Sequence, residues 1–298
     1  MHGINQQISE AFLNTQLLQN RDRIKSLNAL LRGKNRSSIA DDMVLFEKFN
    51  EIAFEHQRVF PYYHPQERVV ESKDSLATIL TRIGKKTLRS YCDVGCGMGF
   101  YPRAAFEMGC PSCLGIDIIE NEQWGRYAET TAGKLRYMRA DISSADHFEE
   151  RYELVTSFAA FEHFADPPGM LRALSGLVQK GGYLYLIFGP IYYSTDGHHM
   201  YRDIQIPWYH LLFTEKICNQ YPAEESKSLD IDKLYFNKWS AYDYLMMFTN
   251  FTDMRILKIN TLWNLHHYWF SKMFPQFLPQ YGIEELMIGG FEVFLYKD

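Results

Sequence analysis

The 298-residue sequence predicts an α/β protein: a mostly parallel sheet with helices on both faces, a helical N-terminal extension, and an insertion after the fifth strand. Three observations carry this. Short apolar runs alternate with helix-patterned stretches from Leu88 to Gly189, the rhythm of βαβ units. The first run leads into glycines at alternate positions, Gly95, Gly97 and Gly99. Acids accompany the first three strands in chain order, Asp93, Asp117 and Asp141.

Taken in order, residues 1–64 read as helical, with Ile8, Phe12, Leu17 and Leu18, then Ile24, Leu27, Leu30 and Leu31, at roughly helical spacing. "RGKNRSS" interrupts this pattern, and Ser38 with Asp41 resembles a capping box before a second helix. The Pro-rich "VFPYYHPQE" marks a boundary, so residues 65–298 form the main domain. "DSLATILTRIGKK" is a helix ending near Gly84. The strands follow as "LRSYCDV", "CLGIDII", "LRYMRAD", "YELVTSFA" and "YLYLIFG", separated by helices such as "YPRAAFEMG", "ENEQWGRYAETTAG" and "PPGMLRALSGLVQKGG". Right-handed crossovers place the strand C-termini along one edge, where ligands bind. Residues 191–245 interrupt the rhythm as a polar and aromatic insertion, although "WSAYDYLMMFTNF" resumes as a helix. "MRILKIN" and "LMIGGFEVFLYKD" complete the strands.

Composition narrows the function. A net charge of −5 argues against a chain built to neutralise nucleic-acid phosphates. The apolar run "GYLYLIFGPIYY" is too short for a membrane span, and no basic flank with an apolar core marks a secretory signal, so the expected compartment is cytoplasmic. The Cys110–Cys113 C-x-x-C has no convincing second ligand pair, and the five cysteines are expected to be reduced and structural.

The glycine loop tolerates positive φ and close backbone approach. The dinucleotide fingerprint G-x-G-x-x-G fails at Phe100. Asp117 follows Gly97 by 117 − 97 = 20 residues, a spacing suited to accepting from both hydroxyls of a ribose. Asp141 is placed to accept from an adenine amino group. Asp93, read as part of the first loop, would repel a pyrophosphate there and suits a cofactor presenting an ammonium.

With these residues in view, "YCDVGCGMGFYP", "CLGIDII", "YMRADI", "YELVTSFAAFEHFADP" and "LVQKGGYLYLIFGP" resemble the class I S-adenosylmethionine-dependent methyltransferases over about Ser90–Gly189. The resemblance implies a Rossmann-like, seven-stranded sheet with a reversed last hairpin. It implies that Asp93, Gly95, Gly97 and Gly99 frame the methionine part of S-adenosyl-L-methionine. It further implies that Asp117 and Ile118 hold ribose and adenine, that Asp141 and Ile142 read the adenine edge, and that Phe158 and Ala159 lie near the methyl group. His163, in the following loop, touches the cofactor or lines the acceptor side.

The acceptor side falls in "GPIYYSTDGHHMYRDIQIPWYHLLF". With His163, the candidate catalytic residues are His198, His199 and His210, since histidine can act as a base near neutral pH. Tyr192, Tyr193, Asp196, Tyr201, Arg202 and Trp208 are candidate acceptor contacts. Asp196, His198 and His199 form a conceivable metal set, but adjacent histidines on a strand diverge, and no metal is expected. His266 and His267 read as partly buried packing residues. The reading is a small-molecule methyltransferase, with oxygen favoured as acceptor, whose N-terminal helices and 191–245 insertion form a lid. A macromolecular acceptor (protein, RNA or glycan) and a catalytically inactive cofactor-binding protein are the alternatives. The sequence leaves the oligomeric state open.

Overall fold

The computed structural model describes residues 2–54, 64–142, 148–200, 204–220 and 237–298. At its centre is a seven-stranded sheet: β1 (Tyr91–Val94), β2 (Cys113–Asp117), β3 (Leu135–Arg139), β4 (Tyr152–Phe158), β5 (Val178–Phe188), β6 (Arg255–Trp263) and β7 (Ile288–Tyr296). The strand order is β3-β2-β1-β4-β5-β7-β6. The pairs among β1 to β5 are parallel, and β7 runs antiparallel between β5 and β6. The C-terminal ends of β1, β4 and β5 thus share one edge with the end of β6 and the start of β7.

The helices preceding the sheet are α1 (His2–Gln19), α2 (Arg21–Leu31), α3 (Arg36–Ile39), α4 (Met43–Phe54) and α5 (Pro65–Arg82). Between and after the strands come α6 (Phe100–Glu107), α7 (Gln123–Ala128), α8 (Pro167–Leu177), α9 (Tyr209–Leu212), α10 (Glu215–Gln220), α11 (Ala241–Thr249), α12 (Tyr268–Met273) and α13 (Ile283–Met287). β1 is buried throughout and β4 up to its last residue, and both carry buried polar side chains, Asp93 in β1 and Glu153, Thr156 and Ser157 in β4, among their apolar residues. One apolar cluster joins α8 and α11 to the sheet, and another joins α5 and α6 to it.

A third cluster lies apart from the sheet. Ile24, Leu27 and Leu31 of α2 and Phe46 and Phe49 of α4 pack with Ile204, Ile206 and Trp208, with α9, and with Trp269 and Phe270 of α12. The N-terminal helices and the segment after β5 therefore bury their apolar faces against each other. At the far N-terminus the expected apolar stripe is only partly buried, with Phe12 38% and Leu18 76% exposed.

Several local readings change. Ser38 is not the cap of a helix over 43–54. Asn35 and Ser38 make a reciprocal capping box on the four-residue α3, while Asp42 Oδ1 accepts from the Leu45 N–H at the start of α4. The helix before β5 stops at Leu177, and the Lys-Gly-Gly segment belongs to β5, where a register irregularity between Tyr152 and Leu154 accommodates it. The boundary stretch falls largely on residues 55–63, outside the described residues.

Candidate cofactor and acceptor site

β1 delivers the glycine loop to the ligand edge. Gly95 has φ +74°, and a Cβ built there would lie 2.4 Å from the Ala160 Cβ, so the loop touches the segment after β4. Gly99 has φ +85° and closes against Tyr137, whose hydroxyl donates to the Gly99 carbonyl at 2.8 Å. Trp124 Nε1 donates to the Gly97 carbonyl at 2.8 Å and stacks on Tyr137 with centroids 5.4 Å apart. Trp124 and Tyr137 thus buttress the loop. Neither stood out in the sequence, because aromatics in a helix and a strand look like core.

Asp117 closes the cradle. Its Oδ2 accepts from the Gly97 N–H at 2.8 Å and its Oδ1 from the Ile119 N–H at 3.0 Å. The spacing of twenty residues joins atoms in direct contact, and carboxylate oxygens have lone pairs beyond those two bonds. Ile118 beside it is 59% exposed, as a surface for a ring requires. Asp141 is exposed after the end of β3, whereas the Ile142 side chain is 4% exposed in the sheet core. Any part Ile142 takes in reading adenine falls to its backbone.

Asp93 is corrected in position. It is the third residue of β1, not a loop residue, and is 1% exposed. It accepts from Thr156 Oγ1 at 2.7 Å, and the same oxygen contacts the Tyr91 hydroxyl at 2.6 Å. Burial raises the Asp93 carboxyl to about 8, opposed by the Thr156 hydrogen bond and reinforced by the Asp117 charge.

Beyond this cradle lies a cavity of about 490 Å³. Phe158 and Ala159 line it from the end of β4, Ile187 and Phe188 from β5, and Gly189, Pro190 and Asp196 from the segment beyond. Phe158 stacks on Tyr101 with centroids 3.6 Å apart. Further lining comes from Leu262 and Trp263 at the end of β6, from Asn264 just after it, and from Gly289 of β7. Asn264 Nδ2 donates to Asp196 Oδ2 at 2.8 Å, fixing a carboxyl group among the largely apolar and aromatic lining residues.

The other acceptor-side candidates are placed differently. Trp208 is fully buried in the third cluster, and Tyr192 and Tyr193 pack against that cluster. None of the three lines the cavity. His210 Nε2 donates to the Tyr192 carbonyl at 2.6 Å, and burial lowers its pKa to about 4. His198 is buried, with Nδ1 accepting from the Met200 N–H at 2.9 Å. Tyr201 and Arg202 lie outside the described residues. His266 is exposed rather than packed, while His267 Nδ1 contacts Thr195 Oγ1 at 2.9 Å. The five cysteines are unbridged.

His199 and His163 lie together behind the Gly189–Pro190 wall, with ring centroids 4.9 Å apart. His199 Nε2 donates to the Pro190 carbonyl at 2.8 Å, and burial lowers this imidazole to about 4. Glu162, which the sequence reading passed over inside E-H-x-x-D-P, is 3% exposed and accepts from the Gly189 N–H at 3.1 Å. Burial raises it to about 7. Its role was illegible because its burial depends on the chain leaving β5, 27 residues away.

A mostly parallel sheet with a glycine cradle, an acid twenty residues on and a chamber at the strand ends is the architecture of a nucleoside-binding α/β protein. Residues 66–229, more than half of the chain, match the family model described as a methyltransferase domain. The chain belongs to this methyltransferase-domain family. It is 29% identical over 143 residues to the ubiquinone biosynthesis O-methyltransferase of Leptothrix cholodnii, a match covering 47% of this chain and 60% of that protein. It is 32% identical over 110 residues to the protein of the same name from Yersinia pestis, covering 36% and 45%. The chain thus spans about half the length of these curated relatives. Among solved structures, magnesium protoporphyrin IX methyltransferase from Synechocystis aligns at 16% identity with a TM-score of 0.46, over 87% of this chain and all of that one. The plantazolicin methyltransferase BpumL aligns at 14% with 0.48, over 96% and 99%. Among the described residues, no helix is long and apolar enough to cross a membrane.

Proposed function

We propose that the protein is an S-adenosylmethionine-dependent methyltransferase that acts on a small molecule, at an oxygen atom. The observation that supports this reading is the cavity of about 490 Å³ adjoining the glycine cradle, the size range of small-ligand pockets. Its aromatic walls suit a planar or apolar body, and the Asp196–Asn264 pair suits one hydroxyl. The relatives' name, O-methyltransferase, agrees with an oxygen acceptor.

Gly95, Gly97 and Gly99 cradle the amino-acid end of the cofactor, with Asp93 beneath it as a latent countercharge. Asp117 holds the ribose, Ile118 packs on the base, and Asp141 with the Ile142 backbone reads its edge. S-adenosylmethionine supplies an electrophilic methyl. The chain supplies alignment, worth on the order of 7–11 kcal/mol in well-oriented systems, and exclusion of water. Phe158, Tyr101 and Trp263 clamp the acceptor, and Asp196, held by Asn264, takes the hydroxyl proton. The N-terminal helices (1–64) and the 191–245 segment act as a lid on the 65–298 domain through the cluster they share.

The test is methyl transfer from labelled S-adenosylmethionine to a panel of phenols and hydroxylated small molecules, run beside protein, RNA and glycan acceptors. Turnover on a hydroxylated small molecule, reduced roughly 10²–10⁴-fold by Asp196→Asn, is expected. Turnover confined to macromolecules would sink the reading.

A further inference from the structure

The sequence led to no metal, and the one set it raised, Asp196, His198 and His199, is not the set the fold assembles. Among the described residues, Glu162, His163 and His199 each offer a ligand atom, all within 4.8 Å of one another. Glu162 and His163 sit in the single turn after β4, and His199 arrives from the segment after β5.

A second observation points to a ligand. Glu162 Oε2 is buried and has no hydrogen-bond partner, while Oε1 is occupied by the Gly189 N–H. An unpartnered buried carboxylate oxygen is costly to leave, and a cation offsets that cost. The histidine is also prepared. Donation from His199 Nε2 to the Pro190 carbonyl puts the ring proton there and makes Nδ1 the basic nitrogen. Ligating histidines show this arrangement, in which the second nitrogen is tied to a carbonyl that fixes tautomer and ring angle. Both anchors, Gly189 N–H and Pro190 carbonyl, belong to the dipeptide that walls the cavity.

We propose that Glu162, His163 and His199 form a binding site for one borderline divalent ion of the zinc or cobalt class. Two imidazoles and one carboxylate suit such ions and leave at least one coordination position open. The ion neutralises Glu162 and ties the end of β4 to the exit of β5 behind the acceptor chamber. The inference stands on these three side chains and is independent of which acceptor is methylated.

The test uses full-length protein stripped with chelator and titrated with Co²⁺, read by visible absorption and stoichiometry, then challenged with Zn²⁺. One Co²⁺ per chain, displaced by Zn²⁺, is expected. Glu162→Gln, and separately His163→Ala with His199→Ala, should weaken binding by at least about tenfold. His266→Ala, which removes an exposed histidine, should leave it unchanged. A site that survives the double histidine substitution, or wild-type protein that binds no Co²⁺, overturns the proposal. Should a variant fail to fold, anomalous scattering from Zn²⁺-soaked wild-type crystals decides: a peak between the three side chains supports the site, and its absence there refutes it.

Discussion

Asp93 is a buried carboxyl whose hydrogen bond comes from a hydroxyl, Thr156, not from a cation. Its folded value, about 8, lies above the ordinary 3.8. Between those limits the native state binds more protons than the unfolded chain, so this group's contribution to stability is present on the acid side and is lost as pH rises through the window. Urea unfolding at pH 5.5 and pH 8 should show this decline, and Asp93→Asn should shrink it. Glu162, raised to about 7, contributes with the same sign and leaves a residual slope. An identical slope in the variant would contradict the assignment. A ligand ammonium beside Asp93 favours its charged form, so cofactor affinity should rise with pH over the same interval, read by calorimetry at the two pH values. That Asp117 meets the glycine loop was legible in the sequence because spacing along βαβ units fixes where it emerges. That Asp93 lies in the strand, bonded to Thr156 63 residues away, depends on the β1–β4 register and was not.

At the scale of elements, the glycine loop separates two causes of glycine use. Gly95 and Gly97 both have positive φ, but a side chain at Gly95 collides with Ala160, whereas one at Gly97 meets nothing within 4 Å. Gly97→Ala should therefore cost only the left-handed backbone penalty, roughly 1–2 kcal/mol. Gly95→Ala should cost more, because the segment after β4 must also shift. Thermal unfolding of both variants checks the order, and equal losses would show that Ala160 yields freely. The strands and helices of residues 88–189 were legible because their periodicity is local. The acceptor wall was not: Trp263 and Asn264 reach the cavity only because β6 pairs with β7 and β7 with β5. A histidine-rich stretch drew attention to His198 and His210, yet burial against the third cluster turns them from the chamber.

Across the whole molecule, the sheet carries the residues proposed to hold the cofactor, while a separate apolar cluster carries the N-terminal helices. Phe46 is fully buried in that cluster and meets Phe213 edge-on at 5.0 Å. Phe46→Ala should lower stability by roughly 3–5 kcal/mol. Folded Phe46→Ala protein should still bind S-adenosylmethionine while losing acceptor turnover, if the N-terminal helices serve as a lid. Calorimetry beside the turnover assay checks this, and parallel loss of both would show that the two parts are one unit. The central claim is that the Gly95–Gly99 loop, latched by Asp117, holds the methyl donor. Calorimetric titration of S-adenosylmethionine into wild type and Asp117→Ala tests it most directly. One site per chain is expected, weakened about ten- to a hundredfold in the variant, since a hydrogen bond to a charged group is worth roughly 1.5–3 kcal/mol. Wild-type affinity in a folded Asp117→Ala protein would contradict it.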